Sequence, residues 1–224
     1  DERTISATEL LKSTRQIVLS RRVDSAQVTP NLNSLIASRI GVAIHDAIRL
    51  SWVNPTRIKA LEALGLPAHK YVVNPPGPVP AGMIDVRTEQ RTDKMIDGWT
   101  VSGEYDLVIA GQLMDTKTTK GFVIQKRLHD AKWKMQGSIY RWLNPEVITD
   151  DSVVIECVVL DWTAGDAASS PEYPQQQWVS LRLQLKTIQE TESFIRTKLA
   201  EITRHLDTPE PDLPECTDED LWRE

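Results

Sequence analysis

Residues 103–120 constrain this chain more than any other stretch. They read Gly-Glu-Tyr-Asp-Leu-Val-Ile-Ala-Gly-Gln-Leu-Met-Asp-Thr-Lys-Thr-Thr-Lys. Two short β-prone runs flank Ala110-Gly111, the pattern of a hairpin with a two-residue loop. With that loop, Ile109 faces Gln112, Asp106 faces Asp115, and Glu104 faces Lys117. Directly opposed residues share a face, with Cβ atoms roughly 4.5–5.5 Å apart. Asp106 and Asp115 are therefore expected side by side, with Lys117 one pair further along. Tyr105, Leu107, Ile109 and Met114 take the other face and suit a core.

Two bare carboxylates about 5 Å apart repel by roughly 3 kcal/mol at an effective dielectric near 20. Such a pair needs a shared proton, a cation or a compensating lysine. Oxygen-rich sites of this kind suit Mg²⁺ or Mn²⁺. The alternative is an exposed hairpin with solvated Asp106 and Asp115 and a cross-strand Glu104–Lys117 salt bridge.

A chain of 224 residues, 40% hydrophobic and 26% charged, can bury a substantial core. No apolar run approaches a membrane span, and no secretory signal is visible near Asp1. Cys157 and Cys216 are too few for a disulfide framework or for a four-cysteine metal or iron–sulfur site. A cytoplasmic, reducing compartment is expected, with no membrane partner. The net charge of −6 argues at first against a nucleic-acid partner, but its distribution reverses that. Residues 207–224 hold eight acids and one arginine, an acidic tail of net −7, so the other 206 residues sum to +1. Between Lys117 and Arg141 there are seven Lys/Arg and one acid, Asp130. A basic stretch beside a carboxylate pair is the footprint expected for a phosphate-bearing substrate. For any single lysine, the alternative is a solvated helix face.

Along the chain, apolar periodicity predicts helices over 4–22 and 33–52 and a short one from Asn54-Pro55-Thr56 through Leu64. His45 lies beside the apolar stripe of the second helix. It reads either as a satisfied polar residue at a core margin or as a metal ligand or phosphate contact. Residues 74–82 hold four prolines and two glycines and must be an extended loop, the best internal boundary. A strand or hairpin is expected over 83–97, then the hairpin over 99–119, and one helix over 126–143. The apolar run in 152–162 suits a buried central strand, and alternation over 178–185 a half-buried one. Residues 165–176 read as loop, and 187–206 as an amphipathic helix. The sum is an α/β (or α+β) chain: a central mixed β-sheet of four or five strands flanked by helices, with a helical N-terminal part (1–73), a sheet-and-helix core (83–206) and the acidic tail. It reads as a single domain over 1–206, since neither side of the loop has a complete core of its own.

Asp106 followed by Asp115-Thr116-Lys117 resembles the Asp…(Asp/Glu)-x-Lys signature of the PD-(D/E)XK nuclease superfamily. Gln136 and Tyr140, one helical turn apart, resemble the extra motif of its RecB-like exonuclease branch. Ile5-Ser6-Ala7-Thr8, Gly41-Val42-Ala43-Ile44-His45 and Cys216-Thr217-Asp218-Glu219-Asp220-Leu221-Trp222 resemble further motifs of that branch in its phage and mobile-element exonucleases, and all stand in the family's order. The second acid is Asp rather than the commoner Glu. The family's CRISPR-adaptation members hold an iron–sulfur cluster on four cysteines, which this chain, with two, cannot supply.

The resemblance implies a restriction-endonuclease-like core and roles for individual residues. His45, Asp106, Asp115 and the Thr116 carbonyl would hold one or two Mg²⁺ or Mn²⁺ ions. Lys117 would orient the attacking water or stabilise developing charge. Gln136 and Tyr140 would position the phosphate backbone or Lys117. Lys120, Lys126, Arg127, Lys132, Lys134 and Arg141 would make non-specific DNA contacts. Trp133 and Trp142 are expected in the core, with stacking on a frayed base as the alternative. The implied activity is a metal-dependent DNA exonuclease acting on duplex ends and leaving a 5′-phosphate and a 3′-hydroxyl, with a phage-type recombination role. A single-strand annealing protein and further copies of the chain are the implied partners. An endonuclease of the same superfamily and a catalytically silent DNA- or protein-binding module are the competing readings.

Overall fold

The computed structural model describes residues 3–23, 29 and 31–216. Seven strands form one mixed sheet: β1 (Thr4–Ser6), β2 (Tyr71–Val73), β3 (Ile84–Ile96), β4 (Trp99–Ile109), β5 (Gln112–Thr119), β6 (Ser152–Val159) and β7 (Trp178–Gln184). The order is β2-β3-β4-β5-β6-β7, with β1 paired to β4. The helices are α1 (Thr14–Arg22), α2 (Leu32–Val53), α3 (Arg57–Ala63), α4 (Gly121–Gln125), α5 (Asp130–Leu143), α6 (Ala164–Ser169) and α7 (Ile188–His205). This α/β architecture, a mixed sheet with helices against it, is the one expected from the sequence.

The expected two-residue loop joins β4 to β5. Ala110 and Gly111 both have positive φ, 50° and 84°, as a type I′ hairpin turn requires. The register is as read: Ile109 opposes Gln112, Val108 opposes Leu113 and Leu107 opposes Met114. There the β4–β5 ladder stops. Strand β5 continues with β6 alone, in parallel, from Leu113↔Val153 to Thr119↔Val159. The far end of β4 carries β1 instead, Thr100–Ser102 against Thr4–Ser6. The two strands therefore fork just beyond Leu107 and Met114, with Asp106 on one arm and Asp115 on the other.

The core lies where α5 and α7 meet the sheet, and it is one cluster from Ile5 to Ile202. Val153, Ile155, Cys157 and Val159 on β6 are all buried. Fully burying such an apolar side chain contributes about 1.5–3 kcal/mol, enough to fix β6 as an interior strand. Trp133 and Trp142 are also buried, so the core reading holds for both and stacking on a base does not. Helix α2 lies by β3, β4 and β5, and Gly41 brings it close to Thr118. Among the described residues no helix is long and apolar enough to cross a membrane.

Several expected boundaries move. The helix over 4–22 is instead β1, a short 3₁₀ turn and α1. Ser13 and Gln16 form a capping box, which starts a helix rather than continuing one. Of the two readings for 83–97, the single strand holds, as β3. The helix over 126–143 begins only at Asp130, because Arg127 adopts φ 53°, and α4 precedes it as a separate turn. Strand β2 arises in the part read as helical (1–73) and helix α6 in the stretch read as loop (165–176), and the sheet has seven strands rather than four or five. The expected Glu104–Lys117 pair does not form. With the strands forked, Glu104 pairs across to Arg91 on β3 at 3.0 Å, and Lys117 turns to Asp115. Of the motif starting at Cys216, Thr217–Trp222 lies outside the described residues, as do Glu219, Asp220 and the rest of the acidic tail's end.

Candidate active site

The fork exposes the ends of main-chain groups that a continuous ladder would have paired, and Asp106 fills that place. Its Oδ2 accepts the Thr116 amide at 2.9 Å, standing in for the missing strand contact. The same oxygen meets His45 Nδ1 at 3.1 Å. One carboxylate oxygen thus ties β4 to β5 and to α2. On the other arm, Asp115 is only 3% exposed. Its Oδ2 is ion-paired with Lys117 Nζ at 2.6 Å, while Oδ1 is buried with no hydrogen-bond partner among the described residues. A buried carboxylate oxygen without a donor is costly and calls for an explanation.

The electrostatics follow from this packing. Burial pushes the Asp115 carboxyl above the usual carboxylate range; the Asp106 charge adds to that, and the Lys117 ammonium opposes it. The His45 imidazole is raised above 6.5, chiefly by its hydrogen bond to Asp106, with burial working against it. Burial disfavours the Lys117 ammonium, but the Asp115 carboxylate and its hydrogen bond outweigh that and keep Lys117 charged. The two acids are therefore partnered within the chain by one lysine and one imidazole. Among the described residues, no three His, Cys, Asp or Glu side chains stand together at metal-binding spacing.

Helix α5 supplies the third wall. Gln136 Nε2 donates to the Tyr140 hydroxyl at 2.8 Å, and both side chains are buried. Burial, with the nearby Asp115 charge, holds Tyr140 protonated. Because the hydroxyl oxygen accepts from Gln136, its own O–H remains a donor. The ring is seated by Gly103, in the part of β4 that pairs with β3 but not with β5. A Cβ there would meet Leu143 Cδ1 at 2.5 Å and the Tyr140 ring at 3.2 Å. Gly103→Ala is thus expected to destabilise the fold by about 1–3 kcal/mol through overpacking. Chemical denaturation checks this, and an unchanged midpoint would contradict it.

The sequence reading missed Arg49 and Glu89. Glu89 sits in β3 between Thr88, opposite Leu107, and Gln90, opposite Tyr105, so it lies across from Asp106. Its φ of 44° is left-handed in mid-strand, a conformation that costs a non-glycine residue about 1–2 kcal/mol. Arg49 Nε holds its Oε2 at 2.8 Å. Burial raises the Glu89 carboxyl, and Arg49 counters it. Both residues line the cleft that holds His45, Asp106 and Thr116. No short motif signals them, because their place depends on the β3–β4 register and on how α2 docks.

The basic candidates are spread more widely. Lys120, Lys126 and Lys132 are exposed around α4 and at the start of α5. Arg127 is exposed and paired with Asp130 at 2.5 Å. Lys134 is half-buried and acts on Glu190 at the start of α7, and Arg141 is half-buried.

No family model and no curated protein matches the chain. Among solved structures, the protein SSO0001 aligns with a TM-score of 0.52 at 16% identity, over 93% of this chain and 79% of that one. An alkaline exonuclease from Laribacter hongkongensis aligns at 0.46 and 11% identity, over 91% and 90% of the two chains. A phage-related exonuclease from Haemophilus somnus aligns at 0.36 and 15%, over 69% and 68%. The likeness to SSO0001 shows a shared fold.

Proposed function

We propose that this chain is a divalent-metal-dependent deoxyribonuclease with a single nuclease domain, acting as an exonuclease on duplex DNA ends. The observation that carries the reading is the fork between β4 and β5. It ties Asp106 to His45 and to the Thr116 amide, pairs Asp115 with Lys117, and leaves a buried oxygen of Asp115 without a donor among the described residues. The donor set fits Mg²⁺ or Mn²⁺ by its chemistry: two carboxylates, one imidazole and the Thr116 carbonyl as a hard oxygen. Asp106, Asp115, His45 and that carbonyl would hold the ion. A divalent ion bound there lowers the pKa of a bound water and offsets charge on a scissile phosphate.

The chain's own residues do the rest. Lys117, kept charged by Asp115, would swing its ammonium to the water or to the developing phosphorane charge once Asp115 has another partner. The Tyr140 O–H, oriented by Gln136, is a donor for a phosphate oxygen. Lys120, Lys126 and Lys132 supply phosphate contacts that make binding weaken with salt. A role in phage-type recombination in the cytoplasm, beside a single-strand annealing protein, is the biological setting of this reading. The test is incubation of end-labelled linear duplex and closed circular DNA with Mg²⁺. Shortening of the linear DNA with the circle intact supports the exonuclease. Cutting of the circle favours an endonuclease, and intact DNA of both forms overturns the nuclease reading.

The His45–Asp106 pair gives this site a pH dependence of known sign. The imidazole is raised above 6.5, so its stabilisation of the metal-free protein is fully present below 6.5 and is lost as pH rises through the folded value. Mn²⁺ must displace the same proton, so its affinity is expected to fall about tenfold per pH unit below that value and to level off above it. Calorimetry in buffers of different ionisation enthalpy checks this. Mn²⁺ binding without proton uptake by the buffer would contradict it.

A further inference from the structure

Resting on the nuclease reading, we propose that Phe122 is the side chain on which the end of the DNA duplex stacks. The aromatic residues of the basic stretch are Phe122, Trp133 and Tyr140, with Trp142 just after it, and all but Phe122 are buried. Phe122 is 55% exposed, although burying a phenylalanine is favourable. Its neighbours Val123 and Ile124 pack against the core, so α4 is anchored and its first turn presents Phe122 outward. Two further contacts fix that turn. The Gly121 amide donates to Asp161 Oδ1 at 2.8 Å, and Gly121 lies against the Tyr173 ring, leaving no room for a Cβ.

Position and charge identify the occupant. Lys117 precedes Phe122 by five residues, across the end of β5 at Thr119 and the start of α4 at Gly121, so chain length holds their Cα atoms within about 17 Å at roughly 3.3 Å per residue. That upper bound is about five base-pair rises of 3.4 Å. Lys120 and Lys126 flank Phe122 in sequence and Lys132 follows, all exposed, with Leu128 a second exposed apolar side chain in the same stretch. An aromatic face in a cationic collar suits a base carried on a phosphate backbone. An apolar protein partner would be opposed by those lysines. A stacked terminal base would hold the duplex end open while one strand passes to Asp106 and Asp115.

The test uses Phe122→Ala and Phe122→Trp in the full chain, neither touching the ion-binding groups. Each is compared with wild type on a blunt duplex and on a duplex whose last four pairs are mismatched. Loss of one base-stacking contact is expected to slow Phe122→Ala on the blunt duplex by about 5- to 100-fold. The mismatched end and Phe122→Trp should each recover most of the rate. In parallel, a blunt duplex carrying 2-aminopurine as its terminal base is titrated with protein in Ca²⁺. Wild type should change the fluorescence and Phe122→Ala should not. Equal rates and equal fluorescence for wild type and Phe122→Ala would overturn the proposal while leaving the nuclease reading intact. Wild type that neither degrades the duplex nor changes the fluorescence would overturn both.

Discussion

Asp106→Asn is expected to slow Mg²⁺-dependent degradation of linear duplex DNA by about a thousandfold or more, since the stabilisation lost is several kcal/mol. The same variant should fold. Asparagine keeps an oxygen that can accept the Thr116 amide, so the tie between β4 and β5 survives. What disappears is the negative charge that faces His45 and adds to the repulsion on Asp115. The His45 pKa should therefore fall, which NMR titration of the ring protons reads directly. Asp106→Ala separates the two roles, because it also strands a buried amide, at a cost of about 1–3 kcal/mol. Wild-type rates in Asp106→Asn, with its fold shown intact by circular dichroism, would remove Asp106 from the site.

Lys117→Ala is expected to lower the rate by about 10²–10³, the size seen when one positioned charge donor is removed. Its stability should fall as well, with a defined pH dependence. Asp115 is buried and already raised, and without Lys117 it has no cation left on its Oδ2. Its folded pKa then rises further. The penalty is absent below the ordinary carboxylate value, where the group is protonated in both states, and grows as pH climbs through the folded value. Lys117→Ala should thus match wild type in melting temperature near pH 4 and lie well below it at pH 8. Asp115→Asn added to Lys117→Ala should remove most of the difference. Equal melting temperatures at pH 8 would show that the pair at 2.6 Å is not what balances Asp115.

Much of this site could be read from residues alone, and the failures have a common cause. The Ala110-Gly111 loop, the pairing of Ile109 with Gln112, the helix carrying Gln136 and Tyr140 and the apolar strand β6 are local signals: turn chemistry, alternation and helical spacing. Glu104 was set opposite Lys117 because hairpin arithmetic assumes that the ladder continues, whereas Lys117 as a neighbour of the carboxylates holds. The fork depends on β1 and β6 competing for the two strands, which no short stretch records. Strand β1 was taken for helix because three residues, Thr4–Ser6, carry too little pattern to show a pairing almost a hundred residues away. Arg49 and Glu89 were missed for the same reason, and Phe122 became visible only once burial had claimed Trp133 and Trp142.

The central claim is that Asp106 and Asp115 are crowded into the fork so that a divalent ion can replace Lys117 and His45 as their neutraliser. The most direct measurement is the melting temperature of wild type, Asp106→Asn and Asp115→Asn as Mn²⁺ is raised at pH 8. A ligand that binds only the folded state adds about 2.7 kcal/mol of stability at a hundred times its dissociation constant. The predicted result is a saturable rise in wild type that is absent in both variants. A flat wild-type curve, or the same rise in all three proteins, would contradict the account.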